Sequence, residues 1–190
     1  MNILLIGGNG YIGKALTKDI IRKIPNSEVF VSTRGNALKI NNQRIHLVHS
    51  DLHDVAGTLS QLPKQVDVII DLVGAPSQDL NKLNAMNKEP VYFMIELSEV
   101  LNTSILGYIG GRLGPKSFVR VKKEMIQKIK DTGKKVVLVE PTFVYGADRA
   151  DSLVRMVPLF KFMGFFSKKF KPVKVESVSD NLVNQINELR

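Results

Sequence analysis

Short apolar runs alternate along the chain with stretches in which apolar residues recur at helical spacing. Runs of about four to eight apolar residues predict buried strands, and spacings of three and four residues predict amphipathic helices. The predicted strands are Asn2–Ile6, Val29–Ser32, Ile45–Val48, Val66–Val73, Ser104–Ile109, Lys135–Val139 and Val173–Val175. The predicted helices are Tyr11–Ile24, Pro90–Leu101, Pro115–Lys130, Leu153–Met163 and Val178–Leu189.

This order of elements predicts an α/β fold. Strands that alternate with helices over short connections form a doubly wound parallel sheet with helices on both faces, the Rossmann arrangement. The run Val66–Val73 is nearly continuous in apolar residues, as expected of a strand that is covered on both faces. A chain of 190 residues fits one domain with a full core, so residues 1–190 are predicted to form a single unit.

The sequence LLIGGNGYIGKAL places three glycines between the first strand and the first helix. Gly7 permits a tight turn, Gly10 lets a pyrophosphate approach the backbone, and Gly13 lets the helix pack closely. The N–H groups and the positive dipole of the helix N-terminus favour phosphate binding. We therefore predict that a dinucleotide binds here.

The end of the second strand bears on the choice between NAD and NADP. An acidic residue at this place accepts hydrogen bonds from the ribose 2′-hydroxyl of NAD. The chain has Ser32, Thr33 and Arg34 instead, and an arginine can pair with a 2′-phosphate. We expect NADP to be preferred, with NAD possible, although Arg34 could also be a solvated loop residue.

With these residues the chain resembles the short-chain dehydrogenase/reductase superfamily. It is most similar to the extended and atypical members, which include NAD-dependent epimerase/dehydratase-like proteins and the nucleotide-binding accessory subunit of respiratory complex I. The segments that carry the resemblance are GGNGYIG, HSDLHD, DLVGAP, MNKEPVYFMIELSEVLN, ILGYIGG, FVRVKKEMIQ, VEPTFVYG and KPVKVESVSDNLV. The glycine loop, Arg34 and the resemblance together predict these cofactor-binding residues: Gly7, Asn9, Gly10, Tyr11, Ile12, Gly13, Arg34, Asp51, Leu52, Val73, Gly74, Ala75, Lys122, Pro141 and Phe143.

Two positions depart from the family pattern. The resemblance implies a serine after the fifth strand and a tyrosine in a YxxxK pair, which polarise the substrate and transfer the proton. Here Gly110 and Gly111 take the place of the serine, and Phe118 replaces the tyrosine. Lys122 is present, one helical turn from Phe118, and the resemblance implies that it contacts the nicotinamide ribose.

Other groups could supply a proton. Tyr108 lies near the end of the fifth strand and Tyr145 lies in the PTFVYG segment, so both join Lys122 as candidate catalytic residues. Strand packing and a loop-anchoring hydrogen bond are the alternative roles of these two tyrosines. Water or the substrate itself could also supply the proton.

Residues 151–175 are predicted to form a small cover on the substrate side of the domain. Five of the nine phenylalanines lie between residues 160 and 170, among several lysines. An apolar pocket wall is the first interpretation of these residues, and a peripheral membrane or protein contact through 160–170 is the alternative.

Composition excludes several classes of function. The chain has no cysteine, so it has no disulfide or thiolate site, and a cytoplasmic location is expected. The spacing of His46, His49 and His53 fits no zinc pattern, and no metal is expected. No transmembrane segment is expected either, because no apolar run is long enough. The net charge of +9 alone is too weak a basis for specific nucleic-acid binding.

Two functions follow from these observations. The first is an NADPH-dependent oxidoreductase that acts on a small carbonyl, quinone or flavin-like substrate. The second is a non-catalytic NADP(H)-binding sensor or assembly module, which the loss of the serine and the tyrosine favours. The sequence leaves both open, along with the identity of the small-molecule substrate.

Overall fold

The protein is described here from a computed structural model, which places residues 1–35, 37–38, 40–146 and 172–190. Six parallel strands form one sheet in the order β3-β2-β1-β4-β5-β6. The strands are β1 (Asn2–Ile6), β2 (Glu28–Thr33), β3 (Ile45–His49), β4 (Val68–Asp71), β5 (Ile105–Ile109) and β6 (Lys135–Val139). The predicted doubly wound parallel sheet is confirmed.

Helices cover both faces of the sheet. They are α1 (Tyr11–Lys23), α2 (Val55–Leu59), α3 (Leu80–Asn87), α4 (Glu89–Val100), α5 (Lys116–Lys130) and α6 (Val175–Leu189). The sequence pattern did not predict α2 or α3. Both are capped by an aspartate: the carboxylate of Asp54 accepts from the N–H of Gly57, and that of Asp79 accepts from the N–H groups of Asn81 and Lys82.

Two apolar clusters fill the two sides of the sheet. On one side α1 and α6 pack on each other and on residues such as Leu5 and Ile70. On the other side α4 and α5 cover residues such as Ile69 and Leu106. Neighbouring residues of a strand therefore face opposite clusters, and a polar side chain at the end of a strand lies at the edge of one of them.

The C-terminal part of the described chain differs in detail from the prediction. Two short strands, β7 (Val144–Tyr145) and β8 (Val173–Lys174), form a separate parallel pair. The last helix begins at Val175 instead of Val178, because Val175 is fully buried at its start. The predicted helix Leu153–Met163, the aromatic segment 160–170 and most of the predicted cover 151–175 lie outside the described residues.

Candidate functional site: a crevice at the carboxyl edge of the sheet

The order of the strands creates a crevice at the carboxyl edge of the sheet. β1 lies between β2 and β4, and the chain leaves it toward α1 on one face. In open parallel sheets, ligands bind in the crevice at such a point of reversal. The loop Gly7–Gly13, called the cofactor loop below, lies at this point.

The backbone of the cofactor loop requires glycine at two places. Gly7 has φ of +78°, a left-handed conformation, and a Cβ atom there would lie 2.8 Å from Cγ2 of Val73. At Gly13 a Cβ atom would lie 2.4 Å from the carbonyl oxygen of Gly8, so helix α1 contacts the loop backbone directly. Gly10 is the N-cap of α1, and the nearest atom to a Cβ there is the carbonyl oxygen of Gly7, at 3.0 Å.

The start of α1 fits an anionic group. No side chain caps the helix, and no acidic residue lies in its first turn, where Tyr11, Ile12 and Gly13 follow the N-cap. The first N–H groups of a helix have no partner within it and carry the positive end of its dipole. The glycine cradle and this uncapped helix start together fit the pyrophosphate of a dinucleotide.

Two side chains connect the cofactor loop to its surroundings. The amide Nδ2 of Asn9 donates to the carbonyl oxygen of Ala37, 2.9 Å away, in the loop that follows β2. The hydroxyl of Tyr11 donates to the carbonyl oxygen of Gly146 at 2.5 Å. Arg34 lies in the same loop as Ala37 and is exposed to solvent. The structure therefore brings the predicted phosphate and ribose residues to one end of the crevice.

Five more of the predicted cofactor-binding residues lie along the neighbouring strand ends. Asp51 is exposed just beyond β3, and its Oδ1 accepts from the N–H of His53 at 3.1 Å. Leu52 and Val73 are partly buried against the apolar cluster of α4 and α5. Gly74, with φ of +149°, and Ala75 continue the chain beyond β4.

Three polar side chains form a buried cluster where β4 and β5 end, called the polar cluster below. Asp71 and Tyr108 are register partners on β4 and β5, and both have no exposed surface. Lys122 of α5 is 3% exposed, and its Nζ lies 4.5 Å from the centroid of the Tyr108 ring. That Nζ donates to the carbonyl oxygen of Ile109 at 3.1 Å. A Cβ atom at Gly74 would lie 2.6 Å from it, so the lysine lies directly beneath this loop.

Burial shifts the pKa of each member of the polar cluster. It raises the pKa of Asp71 to about 7, although Lys122 and the N–H of Val73 oppose the shift. It lowers the pKa of Lys122 to about 8, and the negative charge of Asp71 opposes that shift. Burial, together with Asp71, raises the pKa of Tyr108 above its usual value. A buried phenol with a raised pKa is a poor proton donor, and this favours the packing role for Tyr108.

The ring of Phe118 occupies the space that Gly111 and Gly114 leave open. A Cβ atom at Gly111 would lie 3.0 Å from Cε1 of its ring, and one at Gly114 would lie 2.9 Å from Cδ1. Lys122 Nζ lies 5.8 Å from the centroid of the same ring. At Gly110 a Cβ atom would meet Cγ of Glu140 at 2.7 Å. The two departures from the family pattern are thus sterically linked, since the ring lies against the position where a serine would stand.

A cleft of about 500 Å³ opens beside the end of β6. Tyr145 is one of its lining residues, and it is partly buried. The other lining residues are Arg112, Glu140, Thr142, Pro172, Val173, Lys174 and Ser177. Pro141 and Phe143 hold the adjoining backbone, because their carbonyl oxygens accept from the N–H groups of Arg112 and Val173.

Comparison with known proteins decides the family. The sequence profile described as "NAD dependent epimerase/dehydratase family" matches residues 3–150. The chain belongs to this family. A search of curated protein sequences finds no match.

Solved structures share the fold of this family member at low sequence identity. Bordetella bronchiseptica WbmH in complex with NAD+ has 13% identity and a TM-score of 0.73, over 98% of this chain and 72% of that one. The Thermus thermophilus UDP-glucose 4-epimerase complex with NAD has 14% identity and a TM-score of 0.68, over 95% and 72%. The Methanobrevibacter ruminantium UDP-N-acetylglucosamine 4-epimerase has 15% identity and a TM-score of 0.70, over 94% and 70%.

Sequence reasoning missed two buried polar residues of the site. Asp71 interrupts the apolar run VDVIIDLV, and a charged residue at the end of a buried strand was the available signal. Asn87 ends α3 with no exposed surface, and its Nδ2 donates to the carbonyl oxygens of Ala75 and Leu83. Its Oδ1 and the Oδ2 of Asp71 have no hydrogen-bond partner within the described part of the chain.

Two further findings concern metals and membranes. Among the placed residues, no group of three or more histidine, aspartate or glutamate side chains is arranged to hold a metal ion. His46 instead contacts Glu28 at 2.7 Å. In the four described ranges, no helix is both long enough and apolar enough to cross a membrane.

Proposed function

We propose that the chain binds a nicotinamide dinucleotide across the crevice at the carboxyl ends of β1 and β4, with NADP(H) preferred over NAD(H). The observation that carries this proposal is the cofactor loop, where Gly8 and Gly13 pack backbone against backbone and the first turn of α1 has no side-chain cap. The pyrophosphate accepts hydrogen bonds from the N–H groups of that turn. Membership of an NAD-dependent family supports the same ligand.

The preference for NADP(H) rests on the loop after β2. No acidic residue follows Ser32 and Thr33, and Arg34 is exposed beside the segment that Asn9 contacts. A guanidinium group binds a phosphate through two parallel hydrogen bonds, which a ribose hydroxyl cannot form. Arg34 is therefore assigned to the 2′-phosphate.

The reaction we assign is hydride transfer to a small carbonyl, quinone or flavin-like acceptor. The bound cofactor supplies the hydride. Lys122 orients the cofactor ribose, and the cleft beside β6 takes the acceptor. At the position of the family's acid, Phe118 has no proton to donate. Of the two candidate tyrosines, Tyr108 is buried, whereas Tyr145 lines the cleft. Acceptors that take their proton from water, such as quinones and flavins, suit this arrangement best.

One observation favours a second function, a non-catalytic NADP(H)-binding sensor or assembly module. The ring of Phe118 packs on Gly111 and Gly114, in the place where the family pattern has hydroxyl groups. Apolar packing of this kind stabilises the fold without contributing to a reaction. The dinucleotide site is common to both functions.

A fluorescence titration tests the binding proposal. The chain has no tryptophan, so the fluorescence of NADPH or NADH reports binding with little interference. We expect NADPH to bind at least about tenfold more tightly than NADH, roughly 1.4 kcal/mol, and Arg34→Ala to remove most of that difference. Arg120→Ala, an exposed arginine on α5, is the matched control and should leave the preference unchanged. Equal affinities in the unmutated protein would contradict the NADP preference.

A turnover screen then separates the two functions. NADPH oxidation is followed at saturating cofactor with quinones, aldehydes and flavins as acceptors. Sustained turnover with any acceptor class supports the oxidoreductase. Tight NADPH binding without turnover on all three classes would overturn the oxidoreductase in favour of the binding module.

A further inference from the structure

Asp71 is the unexplained member of the polar cluster. It lies at the end of β4 with no exposed surface, and a buried carboxylate is costly unless it is paired. Its Oδ1 accepts from the N–H of Val73 at 2.8 Å, which closes the turn after the strand. Its Oδ2 has no hydrogen-bond partner among the residues that the structure places. A turn alone does not require this residue, because an asparagine closes the same turn without a charge.

The surroundings of Asp71 explain why a charged aspartate stands at this turn. Tyr108 is its register partner on β5, and the Nζ of Lys122 lies over the ring of that tyrosine. The lysine is almost wholly buried, with one hydrogen bond to the carbonyl oxygen of Ile109 and two aromatic rings nearby. Rings attract an ammonium group but do not neutralise it. A negative charge close by is therefore needed to keep the buried lysine protonated.

Other charged groups around α5 do not serve this purpose. Lys88, which lies between α3 and α4, pairs with Glu124 of α5 at 2.6 Å on the surface. Arg112 and Glu140, beyond β5 and β6, lie 3.9 Å from each other. Within the described ranges, Asp71 is the one charged group whose field raises the pKa of Lys122.

We propose that Asp71 is a positioning residue for Lys122: its carboxylate keeps the lysine in the ammonium form beneath Gly74, where the lysine can reach the cofactor ribose. The inference rests on the proposed function. An ammonium has three N–H donors, and Ile109 accepts one of them, so donors are left for ribose hydroxyls. In a chain with no tyrosine at position 118, Asp71 supplies the negative partner of this lysine.

The sign of the pH effect follows from the charges. Lys122 binds best as an ammonium, so NADPH affinity is constant below the pKa of Lys122 and falls as the pH rises through about 8. Asp71→Asn removes the negative charge that raises this pKa. The fall in affinity should then begin at lower pH, by roughly one pH unit, as expected when an opposite charge is lost.

The first experiment measures NADPH affinity between about pH 7 and about pH 10, where the phosphates of the ligand keep a constant charge because their second pKa is near 6. We expect the alkaline fall to move to lower pH in Asp71→Asn and to disappear in Lys122→Met. Glu124→Gln, an exposed carboxylate on the same helix, is the control and should leave the profile unchanged. An unshifted profile in Asp71→Asn, or an equal loss of affinity at every pH, would overturn the proposal.

The second experiment needs no cofactor and separates the inference from the proposed function. The ¹³Cε signal of Lys122, assigned by its absence in Lys122→Met, is titrated in the ligand-free protein with and without Asp71→Asn. A lower midpoint in the variant supports the link between Asp71 and Lys122 even if NADPH does not bind, and in that case only the proposed function fails. If Asp71→Asn does not fold, the ¹³Cγ titration of Asp71 replaces it: the pKa of Asp71 should rise in Lys122→Met, and an unchanged value would contradict the inference.

Discussion

The cofactor loop and the polar cluster lie at the same edge of the sheet but are built in opposite ways. The cofactor loop works through absent side chains, since Gly13 lets the helix meet the backbone of Gly8 and Gly7 leaves room for the side chain of Val73. The polar cluster works through three polar side chains from β4, β5 and α5 that share one buried space. Phosphate recognition by backbone N–H groups is thus independent of the residues that would carry a reaction. A chain can therefore keep the cofactor loop while its polar cluster changes.

This contrast gives the two regions different sensitivities. Substitution in the cofactor loop should change binding more than charge-dependent behaviour. Substitution in the polar cluster should change pH dependence more than the fold. The predictions below test this separation, beginning with the largest expected effect.

The first prediction concerns the pH dependence of stability. The pKa of Asp71 is about 7 in the folded protein and 3.8 in its ordinary state, so the folded chain holds a proton that the unfolded chain releases between these values. Stability from this group is therefore full below about pH 4 and decreases as the pH rises to about 7, by up to about 4 kcal/mol. Asp71→Asn should remove that decrease, as measured by urea denaturation at several pH values.

Below about pH 6, where Lys122 is charged in both proteins, the comparison between variant and unmutated protein isolates this effect. The pKa of Asp180 is lowered, mainly by its hydrogen bond with Lys23, and gives a slope of the opposite sign. That slope is the same in both proteins and cancels in the difference. Parallel stability curves for the two proteins would show that Asp71 ionises as it does in the unfolded chain, and the account of the polar cluster would be wrong.

The second prediction concerns Gly10. Its backbone, with φ of −72°, is open to any residue, and among the described residues a Cβ atom would meet only the carbonyl oxygen of Gly7, at 3.0 Å. Gly10→Val should therefore fold, yet its side chain would occupy the space proposed for the pyrophosphate. We expect NADPH affinity to fall at least about 100-fold, roughly 2.7 kcal/mol, in the same fluorescence titration.

Two further variants serve as controls for Gly10→Val. Ala56→Val, an exposed position on α2, should leave affinity unchanged and lower stability only by the weaker helix propensity of valine, about 0.6 kcal/mol. Gly13→Ala should lower stability as well as binding, because its Cβ atom would lie 2.4 Å from the carbonyl oxygen of Gly8. Full NADPH affinity in a folded Gly10→Val protein would place the dinucleotide elsewhere.

The same contrast explains how much of the molecule the sequence could reveal. The six strands of the main sheet, most of the helices and the cofactor loop follow from local patterns, since apolar spacing and glycine placement are properties of short segments. The polar cluster does not, because Asp71 and Lys122 are 51 positions apart in the chain. Only the packing of α5 on the sheet brings them together. Helix α3 was missed for a local reason: its apolar pattern is weak, and its Asp79 cap was the available signal.

The third prediction concerns the contact between Gly111 and Phe118. Gly111→Ser restores a residue of the family type but directs its Cβ atom against Cε1 of the ring at 3.0 Å. The ring also packs against Gly114, so it has little room to move. We therefore expect the variant to lose about 1 kcal/mol of stability, as measured by denaturation. Gly111→Ser combined with Phe118→Leu should cost less than the sum of the two single changes. Strict additivity would mean that position 111 and the ring of Phe118 do not interact.

The smallest expected effect is that of Phe118→Tyr. The ring is 9% exposed and lies one helical turn from Lys122, and we expect it to keep its place when a hydroxyl is added at its tip. The contacts of Lys122 and of the cofactor loop persist, and NADPH affinity should stay within about twofold, well under 1 kcal/mol.

Carbonyl reduction, where it occurs, should equally survive Phe118→Leu, because phenylalanine donates no proton. A positioned general acid contributes about 10²–10⁴-fold to a rate. A decrease of that size in Phe118→Leu, with unchanged affinity for cofactor and substrate, would therefore contradict a packing role for Phe118.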